Sequence, residues 1–170
     1  MRRLCYNVAA SLDGYLARPD GSYDWIVEDP TIDFEALFDR FDLFLMGRRT
    51  YEVMAAQGLE SLLRHAPAAV VSRTLEAPGL TIIREDVPTV VAGLKRQPGK
   101  DIWLFGGGEL FGTLLDAGLV DTVEVAVMPV LLGEGIPLLK PGAAPRRLVR
   151  TSCEALASGI VLLTYDVADA

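Results

Sequence analysis

Residues Asp101-Ile-Trp-Leu-Phe-Gly-Gly-Gly-Glu-Leu-Phe-Gly-Thr-Leu-Leu115 decide how this chain folds. The apolar run from Ile102 to Phe105 is typical of a strand at the centre of a sheet. Beyond the triple glycine, apolar residues recur at helical spacing from Leu110 to Leu115. The stretch therefore predicts a buried strand that runs through three glycines directly into an amphipathic helix.

The triple glycine itself has two interpretations. Three residues without side chains let another group approach the backbone closely, and the start of a helix presents N–H groups that suit an anion such as a pyrophosphate. Alternatively, the turn is a tight connection that needs glycine only for its geometry. One glycine would satisfy that need, but both interpretations stay open on this stretch alone.

Strand and helix patterns alternate through most of the remaining chain. Strands are predicted at residues 3–10, 43–46, 68–71, 81–83 and 123–128, and helices at 51–56 and 88–96. A further helix carries the apolar stripe Phe34, Leu37, Phe38 and Phe41, with Thr31 as its cap. Residues 129–139 form a loop, and residues 148–157 and 160–167 form a hairpin joined at Ser158-Gly159. This order predicts one α/β domain over residues 1–170, with a mostly parallel central sheet, helices on both faces and a C-terminal antiparallel hairpin.

Composition and charge exclude several classes of function. The chain has 170 residues, of which 51% are hydrophobic, and a net charge of -7. The negative charge argues against nucleic acid as a partner, and two cysteines with one histidine argue against a metal site. No apolar run is long enough for a membrane span, and the start of the chain lacks the apolar region and cleavage site of a signal peptide. We expect a cytoplasmic protein.

Basic and hydroxyl residues follow the predicted strands. Gly47-Arg48-Arg49-Thr50 and Ser72-Arg73 each come directly after a strand, as Gly106-Gly107-Gly108 does. Ligands of such sheets gather at the carboxyl ends of the strands, and guanidinium groups bind phosphates in a bidentate manner. Each arginine could instead be a solvated loop charge. Their shared location indicates a nucleotide-sized set of anion contacts.

Five motifs together carry a resemblance to a known superfamily. They are Ser11-Leu-Asp-Gly-Tyr-Leu-Ala17, Leu45-Met-Gly-Arg-Arg-Thr-Tyr-Glu52, Val70-Val-Ser-Arg73, Phe105-Gly-Gly-Gly108 and Pro129-Val-Leu-Leu-Gly-Glu-Gly135. In this order and spacing the chain resembles the dihydrofolate reductase superfamily, and most of all the branch that includes the reductase domain of riboflavin biosynthesis. The resemblance spans nearly the whole chain and implies a dihydrofolate-reductase-like fold.

The resemblance also implies NADPH as a cofactor, bound in an extended pose. Ala9 and Leu16 would contact the nicotinamide. Gly47, Arg48, Arg49 and Thr50 would bind the pyrophosphate and the adenosine-side phosphate, and Ser72 and Arg73 would flank the adenosine. The residues expected to wrap the pyrophosphate are Phe105, Gly106, Gly107, Gly108, Glu109 and Leu110.

The substrate site departs from that of true dihydrofolate reductases. Asp33 or Glu35 could stand for the acid of the first helix, although the helix dipole alone favours acids in a first turn. The supporting threonine has no match, because its place is taken by Ala126 or a neighbour within residues 124–127, with no hydroxyl nearby. The arginine that grips the folate tail has no match either, since Arg64 is displaced. We therefore expect folate not to be the substrate.

These observations predict an NADPH-dependent oxidoreductase. It would resemble dihydrofolate reductase or 5-amino-6-(5-phosphoribosylamino)uracil reductase and reduce a small pteridine- or pyrimidine-like heterocycle, or a carbonyl compound. The alternative is a non-catalytic module that binds NADPH and has lost its substrate site. The run Ile160 to Leu163 in the closing hairpin is so apolar that it needs cover, and the resemblance points the same way, so we expect a homodimer.

Overall fold

A computed structural model of the chain describes residues 1–57 and 59–168. The strands are β1 (Leu4–Ser11), β2 (Tyr15–Ala17), β3 (Phe41–Gly47), β4 (Ala68–Val71), β5 (Thr81–Ile83), β6 (Asp101–Gly106), β7 (Thr122–Met128), β8 (Ile136–Pro137), β9 (Leu148–Ala155) and β10 (Val161–Val167). The α-helices are α1 (Phe34–Phe38), α2 (Arg48–Ala56), α3 (Val87–Arg96) and α4 (Gly108–Asp116), and Leu59–Arg64 is a 3-10 helix.

Eight of the strands form one twisted sheet in the order β5-β4-β3-β6-β1-β7-β10-β9. All neighbours from β5 to β7 are parallel, while β10 pairs antiparallel with both β7 and β9. The short strands β2 and β8 pair separately. The predicted α/β fold, with its parallel centre and antiparallel finish, is confirmed.

The sheet is buried on both faces near its centre. Along β6, Ile102 and Leu104 are fully buried on one face and pack with α3 and α4. Trp103 points to the opposite face, because successive side chains of a strand alternate. There it packs with Phe44 and, through Phe38, with α1. The two apolar layers explain why the strands read as continuous hydrophobic runs rather than as alternating ones.

The first helix is shorter than predicted and has another cap. It ends at Phe38, and Phe41 instead opens β3, where it is buried against Trp103. Asp33, not Thr31, is the N-cap, because its side chain accepts a hydrogen bond from the Ala36 N–H at 2.9 Å. The predicted four-residue stripe was wrong because a helix and the following strand happened to continue one apolar spacing.

The start of α2 and the burial of the closing hairpin also differ from the prediction. Helix α2 begins at Arg48 with Gly47 as its N-cap, so the arginines lie in the first helical turn rather than in a loop. Ile160 is fully buried against Trp25 and Met128, so part of the apolar run in the closing hairpin is covered within the chain. The hairpin itself is confirmed.

Within residues 1–57 and 59–168, none of the helices has the length and apolar character that crossing a bilayer requires.

Candidate functional site

A large open cleft runs across one face of the sheet and over the carboxyl ends of β3, β4 and β6. Its volume is about 2330 Å³. The predicted site residues that line it are Ala9, Leu16, Asp33, Gly47, Arg48, Arg49, Thr50, Ser72, Arg73, Phe105, Gly107, Gly108, Glu109 and Leu110. Gly106 and Glu35 are not among the lining residues. The fold therefore brings motifs that are up to a hundred residues apart together along one cleft.

Two helix N-termini meet at the centre of this cleft. Gly47 is the N-cap of α2 and Gly107 is the N-cap of α4, and neither helix start has a capping side chain. A Cβ on Gly47 would lie 3.9 Å from the Gly106 carbonyl oxygen, so the two turns are in contact. Because each N-terminus presents unpaired N–H groups and a partial positive charge, their convergence makes a place for an anion.

The three glycines of the turn have different roles. Gly106 has a φ of 117°, which side chains rarely allow, and its peptide bond to Gly107 is cis. A Cβ on Gly108 would lie 2.6 Å from the Pro137 carbonyl oxygen, so close packing against β8 requires glycine there. A Cβ on Gly107 would meet only Thr50 Oγ1, at 3.8 Å. The geometric interpretation therefore holds for Gly106 and Gly108, while Gly107 leaves an open approach to the backbone.

Basic side chains surround the two helix starts. Arg48 and Arg49 lie in the first turn of α2, and Arg48 pairs with Glu52 at 3.4 Å, one turn later. Both ends of an exposed pair like this are half solvated, so the interaction is weak and Arg48 can exchange its partner. Positively charged side chains at a helix N-terminus are repelled by the partial positive charge of the helix dipole there. A bound anion would relieve that conflict.

The far end of the cleft is shaped by the turn after β4. Ser72 Oγ accepts hydrogen bonds from the Leu75 N–H at 3.0 Å and the Thr74 N–H at 3.2 Å, which fixes the turn that carries Arg73. Arg84, which follows β5, donates to the Arg73 carbonyl oxygen at 3.1 Å. Arg84 also lines the cleft and was not predicted from sequence. The strand end that precedes it was the available signal.

The carboxylate of Asp13 holds the loop that leads into β2, the strand that carries Leu16, and we call this set of hydrogen bonds the Asp13 latch. Asp13 accepts hydrogen bonds from Ser11 Oγ at 2.6 Å, from the Gly133 N–H at 2.7 Å and from the Leu132 N–H at 3.1 Å. The hydrogen bond from Ser11, with those from the two backbone groups, lowers the pKa of Asp13 to about 2. The latch joins the β1–β2 loop to the β7–β8 loop. The sequence indicated only a turn at Asp13.

A polar row crosses the other half of the cleft and was missed by the sequence analysis. Its members are paired across four adjacent strands, β1, β7, β10 and β9, and all line the cleft: Asn7, Glu124, Thr164 and Ser152. The expectation of no hydroxyl near residues 124–127 was wrong, because Thr164 lies directly opposite Glu124. The hydroxyl comes from a strand forty residues later, whose register the sequence did not specify.

Glu124 is the most constrained member of this row. It is only 8% exposed, and Asn7 Nδ2 donates to its Oε2 at 2.7 Å. Arg40 donates to Glu124 Oε2 at 2.9 Å and to Oε1 at 2.5 Å. These hydrogen bonds to the carboxylate raise the pKa of Arg40 above its ordinary value. The pair is the bidentate arrangement that a buried carboxylate needs.

The two predicted acids are placed differently. Asp33 lines the cleft, but its carboxylate is engaged as the cap of α1. Glu35 lies in the first turn of that helix, is exposed, and is not a lining residue. The helix thus gives both acids a structural reason to be there, as the dipole argument allowed.

Comparisons with known proteins agree with this architecture. The family described as the RibD C-terminal domain matches residues 2–162. The chain belongs to this family. It is also 32% identical over 177 residues to the uncharacterized protein YyaP of Bacillus subtilis (strain 168), covering 96% of this chain and 94% of YyaP. Membership confirms the resemblance that the five motifs carried.

Solved structures share the fold. A putative riboflavin biosynthesis protein from Shewanella sp. PV-4 matches with a TM-score of 0.79 and 24% identity, over 99% of this chain and 100% of that one. Dihydrofolate reductase from Enterococcus faecalis, solved with NADP(H) and RAB-propyl, matches with a TM-score of 0.73 and 16% identity, over 98% of this chain and 97% of that one. At these identities the likeness establishes the dihydrofolate-reductase-like fold of this RibD C-terminal domain.

Proposed function

We propose that this RibD C-terminal domain is an NADPH-dependent reductase of a small heterocyclic or carbonyl substrate. The observation that carries the proposal is the pair of uncapped helix starts at Gly47 and Gly107, which meet beside Arg48 and Arg49 in the cleft. Such an arrangement suits a pyrophosphate, because it combines backbone N–H donors, guanidinium groups and a backbone free of side chains.

The residues that line the cleft suit an extended dinucleotide. Its pyrophosphate would bind at Gly107, and its adenosine end would reach Ser72 and Arg73 at the end of β4. Its nicotinamide end would lie against Ala9 on β1, beneath Leu16. The cofactor, when bound, supplies a hydride, and the chain supplies orientation and exclusion of water. The structure of a fold relative with NADP(H) supports this choice of cofactor.

The cleft also continues beyond the nicotinamide end. There the apolar pair Ala126 and Leu162 lies beside the polar row of Asn7, Glu124, Thr164 and Ser152. Trp103 borders this region, where its Nε1 donates to the Asn7 carbonyl oxygen at 2.8 Å. A region with flat aromatic and directed polar groups suits a small ring compound, which favours a reductase over a module that only binds NADPH.

Turnover assays test the proposal. Purified protein would be mixed with NADPH and, one at a time, with pteridines, pyrimidines, quinones and small carbonyl compounds, and oxidation of NADPH would be followed by absorbance. We expect oxidation that depends on one class of acceptor. NADPH binding without turnover on any acceptor would instead support the non-catalytic alternative.

The protein would act as a homodimer. Strand β9 is the edge of the large sheet, and every residue of its eight is exposed, including Val149 at 54%. A long exposed edge strand invites pairing. A second subunit would cover the hairpin face that carries Cys153, which is opposite to the face that lines the cleft at Ser152 and Glu154.

A further inference from the structure

We infer that Glu124 recognises the substrate through an N–H donor, and that the group bound beside it is neutral or positively charged rather than a phosphate or carboxylate. The inference rests on the proposed function, because it concerns the half of the cleft beyond the nicotinamide end. The substrate class inferred for that part of the cleft is a compound with an N–H donor and no anionic group beside Glu124.

The Glu124 carboxylate keeps unused acceptor capacity. A carboxylate offers about four acceptor positions. Oε2 uses two of them, for Asn7 and Arg40, whereas Oε1 accepts one bond, from Arg40. One position on Oε1 is therefore left for a donor, in a residue that lines the cleft and is held in a single orientation.

Arg40 is already paired with Glu124, so an anion could reach it only through its remaining N–H groups. Both of its terminal nitrogens donate to Glu124, and its guanidinium lies 5.0 Å above the centre of the Phe41 ring. An anionic substrate group would have to compete with a bidentate, largely buried carboxylate for this guanidinium. Such pairs are among the strongest hydrogen-bonded contacts in proteins.

The charges along the cleft divide it into two halves. On the side of β3, β4 and β5, the lining residues include four guanidinium groups, with Glu85 and Asp86 beside them: Arg48, Arg49, Arg73 and Arg84. On the side of β7, β10 and β9, the charged lining residues within the described chain are Glu124 and Glu154, with Arg40 already paired. Glu28, Asp29 and Asp33 border this half from the segment before and at α1, and Lys140, which also lines the cleft, pairs with Asp116 at 3.3 Å. A phosphate there would meet repulsion at short range.

The distance between Ala9 and Glu124 lets one ring system reach both residues. Asn7 pairs with Glu124 and Ala9 pairs with Ala126, so Glu124 lies two residues along β7 from the nicotinamide position. Two residues of a strand span roughly 7 Å, which is the length of a small fused ring. A heterocycle that receives hydride above Ala9 can therefore donate an N–H to Glu124.

Benzamidine and benzoate test this inference, because they share shape and size and differ in charge. Calorimetry would measure both on protein saturated with NADP⁺. We expect benzamidine to bind at least about tenfold more tightly, as one charged hydrogen bond predicts. Glu124→Gln should reverse this order, because it removes the acceptor charge and releases Arg40 for the carboxylate of benzoate. The control Asp24→Asn removes an exposed carboxylate paired with Arg18 outside the cleft and should leave both affinities unchanged.

Arg40→Gln provides a second variant, for which the preference for benzamidine over benzoate should change in the opposite direction. It leaves the Glu124 charge without its guanidinium and should increase the preference for benzamidine. Equal binding of the two probes, an equal loss of both in Glu124→Gln, or no binding of either to the saturated protein would each contradict the inference. Failure of NADP⁺ to bind at all would contradict the proposed function instead, so the two failures can be told apart.

Discussion

Gly107 and Gly108 are adjacent in the chain, yet they face different surroundings. A Cβ on Gly108 would press to 2.6 Å from the Pro137 carbonyl oxygen, whereas one on Gly107 would reach only Thr50 Oγ1 at 3.8 Å. The second glycine of this pair therefore serves packing, whereas the first leaves room for the proposed ligand to approach the backbone. The difference allows binding and stability to be separated by two matched substitutions.

Gly107→Ala should weaken NADPH binding while leaving the protein folded. The added methyl group would stand where a pyrophosphate approaches the α4 N-terminus, and we expect a loss of about tenfold or more in affinity, equivalent to at least one charged hydrogen bond. Gly108→Ala should lower the melting temperature sharply, because the clash is with backbone. Gly93→Ala in α3, where a Cβ meets only Arg96 Nη2 at 4.0 Å, is the control. A sharp loss of stability in Gly107→Ala with unchanged affinity would make this glycine structural too.

Asp33→Asn and Glu35→Gln should each slow turnover by less than about tenfold, well below the ~10²–10⁴-fold contribution of a general acid. Asp33 is engaged as the cap of α1, and asparagine caps a helix about as well as aspartate, so the fold should be unaffected. Water or the substrate would then supply the proton. Steady-state kinetics on the preferred substrate measures the effect. A loss of several hundredfold in Asp33→Asn, with NADPH affinity intact and rescue at low pH, would identify Asp33 as the proton donor.

The Asp13 latch should hold the β7–β8 loop at all pH values above about 4. Asp13 has a folded-state pKa near 2, lower than its ordinary value of 3.8. The stabilisation from its carboxylate is therefore fully present above the ordinary value and is lost as the pH falls through the folded-state value. Amide hydrogen exchange at Leu132 and Gly133 reports the latch directly.

Asp13→Ala should abolish protection of those two amides near neutral pH and loosen Leu16 over the nicotinamide position, raising the KM for NADPH. Asp20→Ala is the matched control, because Asp20 also accepts from a backbone N–H, that of Ser22 at 2.9 Å, in a different loop. Unchanged exchange at Leu132 and Gly133 in Asp13→Ala would show that the latch does not hold the loop.

Light scattering at micromolar concentration should give the mass of a homodimer. Val149→Glu places a charge on the exposed edge strand β9 and should shift the protein toward monomer. Leu131→Glu is the control, because Leu131 is 69% exposed and lies in the β7–β8 loop rather than on β9. A wild-type monomer at this concentration would refute the proposed dimer.

The order of strands and helices could be predicted because each pattern that indicates them is local in the sequence. The apolar run before the triple glycine, the spacing of Leu110 to Leu115 and the turn at Ser158-Gly159 each depend on neighbouring residues. The convergence of the residues proposed to bind the cofactor was predicted for a related reason. The ends of parallel strands lie at one edge of a sheet, so residues after β3, β4 and β6 had to come together.

The polar row around Glu124 was not predicted, because its contacts join residues that are far apart in the sequence and depend on strand register. Glu124 meets Arg40 across eighty-four residues and Thr164 across a strand pair whose alignment no local pattern fixes. Asp33 was a candidate acid in the sequence, but its carboxylate accepts a hydrogen bond from the Ala36 N–H as the N-cap of α1. The separate roles of Gly107 and Gly108 depend on β8, a two-residue strand without a recognisable pattern.

Titration calorimetry with NADPH and NADH tests the central claim most directly. Because Arg48, Arg49 and Arg73 line the part of the cleft proposed to hold the cofactor, NADPH should bind more tightly than NADH by roughly 1.5–3 kcal/mol, the value of a charged hydrogen bond. Arg73→Ala should narrow this difference, whereas Arg96→Ala, at the end of α3, should not. Equal affinity for the two cofactors, or no binding of either, would contradict the account.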